Sequence, residues 1–357
     1  MLVDPELLRR IQQWVQWRYI LMVTLCLMAI RLLFDNHEDI VNSLNNFAND
    51  PFPTKSELAI PVEDLPSYAI PQAEVVEEKA WPFETAVPAP YDSLPADEYV
   101  AVCMSIKDQS RDMNEFFTHH YYHHNIRRFY IMDDGSDPPL SSFEYPGIPR
   151  AALTFTYEDR ATRVGHMQMV FYTWCLERYS SRHKWIAFLD GDEYIETPGP
   201  ETFQEVLESF EHNNTVGALG INWKVHTSSG IKTRPPSARK AFNVCSWDGK
   251  GSINTHIKSV VKTSLAAGPL NPHKFRLKDG AETVGENGDI IYTVAFREPI
   301  TRVRIGLHHY AIKSLEEFEE KLHRGNGMTD PQSKGVWEKV EYEMAKVNCT
   351  EIVNYDP

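Results

Sequence analysis

The sequence predicts an α/β fold built on a mainly parallel, mixed central sheet that is flanked by helices. Apolar segments rich in β-branched and aromatic residues alternate with segments of helical spacing, the order typical of a doubly wound sheet. Two of the apolar segments end in acidic runs, FYIMDDGSD and WIAFLDGDE. Ligands of such sheets bind at the carboxyl ends of the strands, so these acidic runs are the first candidates for a functional site.

The order of the elements supports this fold class. YVAVCMSI, at 99–106, is an apolar run typical of a strand buried on both faces. The elements that follow are predicted from apolar spacing: a helix at 113–124, strands within 127–137 and 152–157, a helix at 164–180 and a fourth strand at 184–196.

Charge is distributed unevenly along the chain of 357 residues. The formal net charge is −14, and residues 35–98 hold 14 Asp and Glu against 2 Lys and Arg. The remainder is close to neutral. A nucleic-acid surface needs clustered Lys and Arg, so we expect no nucleic-acid partner.

The segment 19–34 is apolar enough to predict a signal-anchor transmembrane helix, although it is shorter than the roughly 20 residues that usually span a bilayer. Arginines precede it and acids follow it, so the positive-inside rule makes 1–18 a cytoplasmic tail. The expected protein is a single-pass type II Golgi membrane protein with a lumenal catalytic domain. An interfacial amphipathic helix and a buried domain helix are the alternatives. No A-x-A cleavage site follows, which argues against a cleaved signal peptide.

The rest of the chain divides by composition. Residues 35–98 are acidic and rich in proline, which is typical of an extended stem. We assign the main domain to 99–330 and a carboxyl-terminal extension to 331–357. The sequons at Asn213 and Asn348 are compatible with glycosylation.

The five cysteines contain no CxxC pair, which argues against a zinc ribbon or a thioredoxin motif. Cys26 lies in the apolar amino-terminal segment. Cys103 and Cys175 fall in a predicted strand and a predicted helix, and we interpret them as small buried hydrophobes. If the domain is lumenal, Cys245 and Cys349 are the pair to test for a disulfide.

Asp190 and Asp192 form a D-x-D motif that directly follows the apolar run WIAFL. In an extended stretch, residues i and i+2 project to the same side, so the two carboxylates are expected to lie together. Such oxygen ligands suit Mg²⁺ or Mn²⁺, which share their remaining positions with phosphate. The alternative is a solvated acidic turn.

Three segments together resemble glycosyltransferase family 92, within the GT-A group. They are FYIMDDGS, KWIAFLDGDEYIE and HHYAIKSLEEFEEKLHRG, and they occur in the family's order. The resemblance covers roughly 99–330. The chain departs from the family pattern at Phe116, where Trp is usual, and at His308, where Asn is commoner.

The resemblance implies a GT-A (Rossmann-like) fold and a set of site residues. His309 joins Asp190 and Asp192 as a metal ligand, with His308 as the alternative. The residues expected to bind a nucleotide sugar are Lys107, Asp108, Asp133, Asp134, Asp190 and Lys258, and those expected to bind the acceptor are Trp223 and His273.

The implied reaction is transfer of a hexose, with galactose favoured, from a UDP-sugar to a glycan acceptor. It would depend on Mn²⁺ or Mg²⁺ and invert the anomeric centre. An inverting enzyme needs a base to take the acceptor's proton, and Asp248, Asp279 and Glu282 are the candidates. A glycan-binding or scaffold protein on the same fold, and a glycosidase, are the alternative functions.

Overall fold

The computed structural model describes residues 99–161, 164–249, 251–328 and 334–353. The predicted cytoplasmic tail, signal anchor and stem, residues 1–98, lie outside the described residues. Within the described part of the chain, no helix is long and apolar enough to cross a membrane.

The described residues form thirteen strands, six α-helices and several single turns of other helix types. The strands are β1 Val100–Ile106, β2 Phe129–Asp133, β3 Leu153–Tyr157, β4 Trp185–Phe188, β5 Glu193–Glu196, β6 Val216–Val225, β7 Val244–Ser246, β8 Ile257–Lys262, β9 Ala266–Pro269, β10 Phe275–Leu277, β11 Glu282–Val284, β12 Gly306–His309 and β13 Lys346–Asn348. The α-helices are α1 Ser110–His123, α2 Met167–Tyr179, α3 Phe203–Glu211, α4 Ala238–Ala241, α5 Leu315–Arg324 and α6 Lys334–Glu338.

Nine of these strands form one mixed sheet in the order β3-β2-β1-β4-β8-β6-β12-β5, with β11 added beside β6. Strands β3, β2, β1 and β4 pair with one another in parallel, whereas β8 is antiparallel to both β4 and β6. The predicted α/β class and mainly parallel sheet are therefore confirmed.

Core residues alternate between the two faces of the sheet, as the period of two in a strand requires. Val102 and Met104 of β1 pack in the larger core with Phe116 of α1, while Ala101 packs in the smaller core with Phe171 of α2. Both helices thus cover the sheet from opposite sides.

The predicted fourth strand is two strands in the structure. β4 ends at Phe188 and β5 begins at Glu193, so Asp190, Gly191 and Asp192 lie in the connecting turn. A Cβ at Gly191 would lie 2.6 Å from Met113 Cε and 2.9 Å from Ile106 Cδ1. The turn therefore packs directly against α1 and β1, and any larger residue at 191 would require Met113 and Ile106 to shift.

Two disulfides connect the described elements. Cys245 and Cys349 are bonded, with Cα atoms 5.5 Å apart, as the sequence suggested. Cys103 and Cys175 are also bonded and link β1 to α2, so their interpretation as free buried thiols is wrong. Sequence spacing does not show that a strand residue and a helix residue face each other across a core layer.

The segment 334–353 packs onto the main domain. Val340 is fully buried in the larger core, and β13 pairs antiparallel with β7. The backbone N–H of Ser228 donates to Glu341 at 2.9 Å. The residues beyond the predicted domain boundary therefore complete its core.

Histidines in α1 and directly after it have structural roles. His119 and His124 each place a ring nitrogen within 2.7 Å of the Ile195 carbonyl oxygen, and His120 contacts the Phe116 carbonyl at 2.9 Å. Burial lowers the pKa of all three, to about 3 for His124.

Candidate functional site

The turn between β4 and β5 is the centre of the candidate site. β4 lies beside β8, and β5 lies beside β12, so the two aspartates of the turn meet different neighbours. The extended geometry expected for Asp190 and Asp192 is wrong because both lie in a turn. Their carboxylates contact different partners, Lys258 and Gln168 for Asp190 and Lys321 and His309 for Asp192.

Asp190 contacts side chains from β8 and α2. Its carboxylate lies 2.8 Å from the Lys258 ammonium and accepts a hydrogen bond from Gln168 at 2.8 Å. Lys258 is fully buried. Burial alone would lower the pKa of Lys258, but Asp190 and Glu193 outweigh it and raise that pKa. Lys258 is therefore a fixed positive charge under the turn.

Asp192 contacts side chains from β12 and α5. Its oxygens lie 2.9 Å from the Lys321 ammonium and 3.5 Å from Nε2 of His309. Burial would raise the pKa of Asp192, but Lys321 and His309 together lower it well below the usual range. The carboxylate is therefore ionised.

Glu193 is the third acid of the turn and is fully buried. Its Oε2 accepts the backbone N–H of Asp190 at 2.8 Å, and its Oε1 has no hydrogen-bond partner among the described residues. Burial, reinforced by Asp190, raises the pKa of Glu193 well above its ordinary value despite nearby Lys258. Glu193 is therefore harder to ionise than an exposed glutamate.

An aromatic surface lies beside His309. The Trp223 ring stacks on His256 at 4.7 Å between centroids and lies 4.2 Å from His309 and 5.4 Å from His273. Trp223 Nε1 and His309 Nδ1 are buried and have no partner within the described part of the chain. Burial and the charge of Lys258 lower the pKa of His273 to about 3. His256 stacks on the Trp223 ring, whereas His309 and His273 are inclined to it, and two polar atoms of the group are buried without partners in the described part of the chain.

The other predicted donor residues lie after β1 and β2. Both oxygens of Asp133 accept backbone N–H groups, from Ser136 at 2.9 Å and Leu140 at 2.8 Å. Asp108, on the surface, forms a bidentate ion pair with Arg160 at 2.8 and 2.9 Å. Asp134 is buried, and Lys107 is half-buried at the end of β1.

The three candidate bases lie in two places. Glu282 is in β11, opposite Val216 at the start of β6, and Asp279 precedes it on the surface. Trp223 is seven residues along β6, roughly 23 Å away at the rise of a strand. Asp248 pairs with Arg302, whose other nitrogen donates to the Trp223 carbonyl at 2.6 Å. The structure brings only Asp248 of these three close to the aromatic surface.

Lys321 is the site residue that sequence reasoning missed. Four glutamates surround Phe318 in this helix, which is a pattern typical of a solvated face, but Glu317 is buried and lies 3.0 Å from Arg234. The spacing does indicate the position of Lys321, because it follows Phe318 by three residues and the two share a face of α5. Lys321 also lies in the segment HHYAIKSLEEFEEKLHRG, one of the three that carry the resemblance.

Cations surround the Asp192 side of the turn. A cavity of about 10 Å³ is lined by Asp192, Lys313, Lys321, Arg234 and Arg324, among others. It shares Asp112, Arg234 and Glu317 with a larger cavity of about 410 Å³. The smaller one holds about one water molecule, so any larger ligand of Asp192 must displace Lys321.

The chain was compared with known families and proteins. Residues 147–290 match the model of glycosyltransferase family 92. A glycosyltransferase family 92 protein from Oryza sativa subsp. japonica is 23% identical over 62% of this chain and 35% of its own length. One from Ricinus communis is 22% identical over 63% of this chain and 37% of its own length. The matches support the resemblance, and the aligned part spans about a third of these relatives.

The similarity to solved structures is weaker. The galactosyltransferase LgtC, in complex with donor and acceptor sugar analogues, has a TM-score of 0.27 and 10% identity over 62% of this chain and 94% of its own. A 4-diphosphocytidyl-2C-methyl-D-erythritol synthase from Anaerococcus prevotii has a TM-score of 0.22 and 7% identity over 39% of this chain and 59% of its own. Such values carry no inference about function.

Proposed function

We propose that this chain is a GT-A glycosyltransferase of family 92 that transfers a hexose from a UDP-sugar to a glycan acceptor. The observation that carries the proposal is the turn 189–192, where two aspartates, two lysines and an aromatic surface meet. Asp190, Asp192, Trp223 and Lys258 all lie within the part of the chain that matches the family.

The charges of the site suit a leaving diphosphate. Breaking the bond between the anomeric carbon and the diphosphate places negative charge on the leaving group, through a transition state like that of glycoside hydrolysis. Lys258 and Lys321 hold positive charge beside the turn. Preorganised cations of this kind stabilise developing negative charge without the reorganisation that water requires.

A divalent metal, Mn²⁺ or Mg²⁺, is part of this proposal, with Asp190, Asp192 and His309 as its ligands. Carboxylate oxygens suit these ions, and Nε2 of His309 lies 3.5 Å from an Asp192 oxygen. A bound ion would supply Lewis-acid stabilisation of the diphosphate. Lys321 must release Asp192 to admit it, and its partly exposed side chain on a flexible stem can do so.

The aromatic surface is proposed to bind the acceptor, through Trp223 and His273. A flat apolar ring with a free N–H suits a sugar, which offers C–H groups on one face and hydroxyls at its edge. Asp248, held by Arg302, is the favoured base for an inverting transfer. We further propose galactose as the donor sugar and a type II Golgi location with residues 19–34 as the anchor.

Release of UDP tests the proposal. The purified chain is incubated with a panel of UDP-sugars and glycan acceptors, with and without Mn²⁺. We expect acceptor-dependent UDP release that Mn²⁺ stimulates, and we expect Asp192→Asn to lower the rate about 100-fold or more, as the loss of a transition-state charge contact does. Glu177→Gln, an exposed acid on α2, is the control and should retain full activity.

Three outcomes would reject the proposal. Glycan binding without UDP release from any donor would indicate a glycan-binding protein. Release of free sugar from glycans without a donor would indicate a glycosidase. If the Asp192→Asn variant is as active as the wild type, the turn takes no part in the reaction.

A further inference from the structure

A second group of ligating side chains lies beside β7 and takes no part in the proposed transfer. His226, Cys245 and Cys349 each offer an atom within 4.8 Å of the others, and all three are buried. His308 lies next to this group, with its Nδ1 2.8 Å from His226 Nε2 and 3.9 Å from Cys349 Sγ. Four potential soft or borderline ligands thus meet in the core.

The two imidazoles face each other through their inner nitrogens, while their outer nitrogens contact oxygen acceptors. His226 Nδ1 lies 2.5 Å from the Phe242 carbonyl, which can only accept, so this nitrogen donates. His308 Nε2 lies 2.8 Å from the Glu196 carboxylate. The inner nitrogens, His226 Nε2 and His308 Nδ1, lie 2.8 Å apart and are the atoms that these two rings offer to a metal ion.

We propose that His226, His308, Cys245 and Cys349 bind one Zn²⁺ ion when the two cysteines are reduced. Two thiolates and two imidazoles form a familiar tetrahedral zinc set, in which neighbouring sulfur and nitrogen ligands lie about 3.6 Å apart. Cys349 Sγ lies 3.7 Å from His226 Nε2 and 3.9 Å from His308 Nδ1. These separations are close to the edges of such a tetrahedron.

The surroundings of the histidines are those of metal ligands. A ligating histidine usually donates its outer N–H to a carboxylate or a backbone carbonyl, which fixes the tautomer and raises the basicity of the inner nitrogen. Glu196 serves His308 in this way, and the Phe242 carbonyl serves His226. Burial lowers the pKa of His226 well below its usual value and favours the neutral ring that a metal needs.

The zinc site and the Cys245–Cys349 disulfide are alternative states of the same residues. A dithiol supplies the two electrons and two protons that convert the disulfide to two thiols, and it becomes a disulfide itself. Zn²⁺ then displaces the two thiol protons and binds the thiolates. The sulfurs must separate from bonding distance to about 3.8 Å, the sulfur–sulfur edge of the tetrahedron.

Cobalt binding by the reduced chain tests the proposal. The purified full chain is reduced with dithiothreitol, freed of it without oxygen, and titrated with Co²⁺ and then with Zn²⁺. We expect one thiolate-bound Co²⁺ per chain, detected by its thiolate-to-cobalt charge-transfer band, and its displacement by Zn²⁺. Cys349→Ser and His308→Asn should lose this band. Glu196→Gln keeps all four ligands and should weaken binding about 10- to 100-fold.

Two controls separate this site from other metal sites. Asp192→Asn should leave the thiolate band unchanged, because the acidic turn contains no sulfur. The double variant Cys103→Ala, Cys175→Ala should also retain it. The proposal is overturned if the reduced wild-type chain shows no thiolate band, or if His308→Asn and Glu196→Gln both bind Co²⁺ as tightly as the wild type.

Discussion

The acids that follow β2 and those that follow β4 look alike in sequence but differ in their partners. Asp133 is held by two backbone N–H groups of its own turn, those of Ser136 and Leu140. Asp190 and Asp192 are balanced by the side chains of Lys258 and Lys321, which come from distant elements. Backbone partners cannot leave without unfolding the turn, whereas side-chain partners can be exchanged for a ligand. The second turn is thus the one suited to binding.

The largest expected effect comes from making the same substitution in both turns. Asn offers one acceptor oxygen, so Asp133→Asn leaves one buried N–H without a partner and should cost about 1–3 kcal/mol of unfolding free energy. Asp190→Asn should cost less, because Glu193 can ionise and pair with Lys258, but it should lower UDP release about 100-fold. Denaturant unfolding and UDP release measure the two effects.

The comparison fails if these effects are exchanged. A folded Asp133→Asn enzyme whose KM for the donor rises as much as that of Asp190→Asn would make Asp133 a donor ligand, as the sequence predicted. If Asp190→Asn has wild-type kinetics, then acids with side-chain partners do not identify the functional turn.

A smaller effect is expected from removing one of the exchangeable cations. Lys321→Met should raise the KM for the donor about tenfold, because one charge-assisted contact to the diphosphate is lost. Lys184 pairs with Glu211 at 3.4 Å just before β4 begins, at the opposite end of the strand from the turn. Lys184→Met should leave steady-state kinetics unchanged. If the two variants have equal KM values for the donor, Lys321 only stabilises the position of Asp192 and does not contact the diphosphate.

The smallest effect concerns His273, near Lys258. Its pKa is lowered to about 3 in the folded chain, while the unfolded chain takes up this proton near pH 6.5. The unfolded state therefore binds more protons between these values, and stability falls as pH falls through this window. His273→Gln should reduce the slope of the unfolding free energy against pH by at most about 1.4 kcal/mol per pH unit. Unfolding free energies measured from about pH 6.5 down to pH 5 test this, and an unchanged slope would contradict it.

The sequence predicted the strands well because buried strands are unbroken apolar runs. β1, β2, β3 and α2 lie within their predicted segments. The turn at 189–192 was missed because its flanks, WIAF and EYIE, are both strand-forming, so the sequence reads as one strand. The long-range partners were missed for a different reason: whether Asp192 meets Lys321, or Cys103 meets Cys175, depends on which distant elements become neighbours.

Asp133 and Asp190 illustrate the limit of motif reasoning. Both follow an apolar strand, and both stand close to a glycine. Their difference lies in whether the next residues curl back to offer N–H groups, as those at 136 and 140 do. That geometry depends on packing around the turn, which a single sequence does not display.

The carboxyl-terminal segment has a practical meaning for anyone who prepares this protein. A fragment trimmed at 330, where the recognisable sequence pattern fades, would expose the hydrophobic pocket that Val340 and Ile352 fill. It would also lack Cys349, the disulfide partner of Cys245, and Glu341, which accepts the hydrogen bond of the Ser228 backbone N–H. The folding unit therefore extends beyond residue 330, where the resemblance to the family ends.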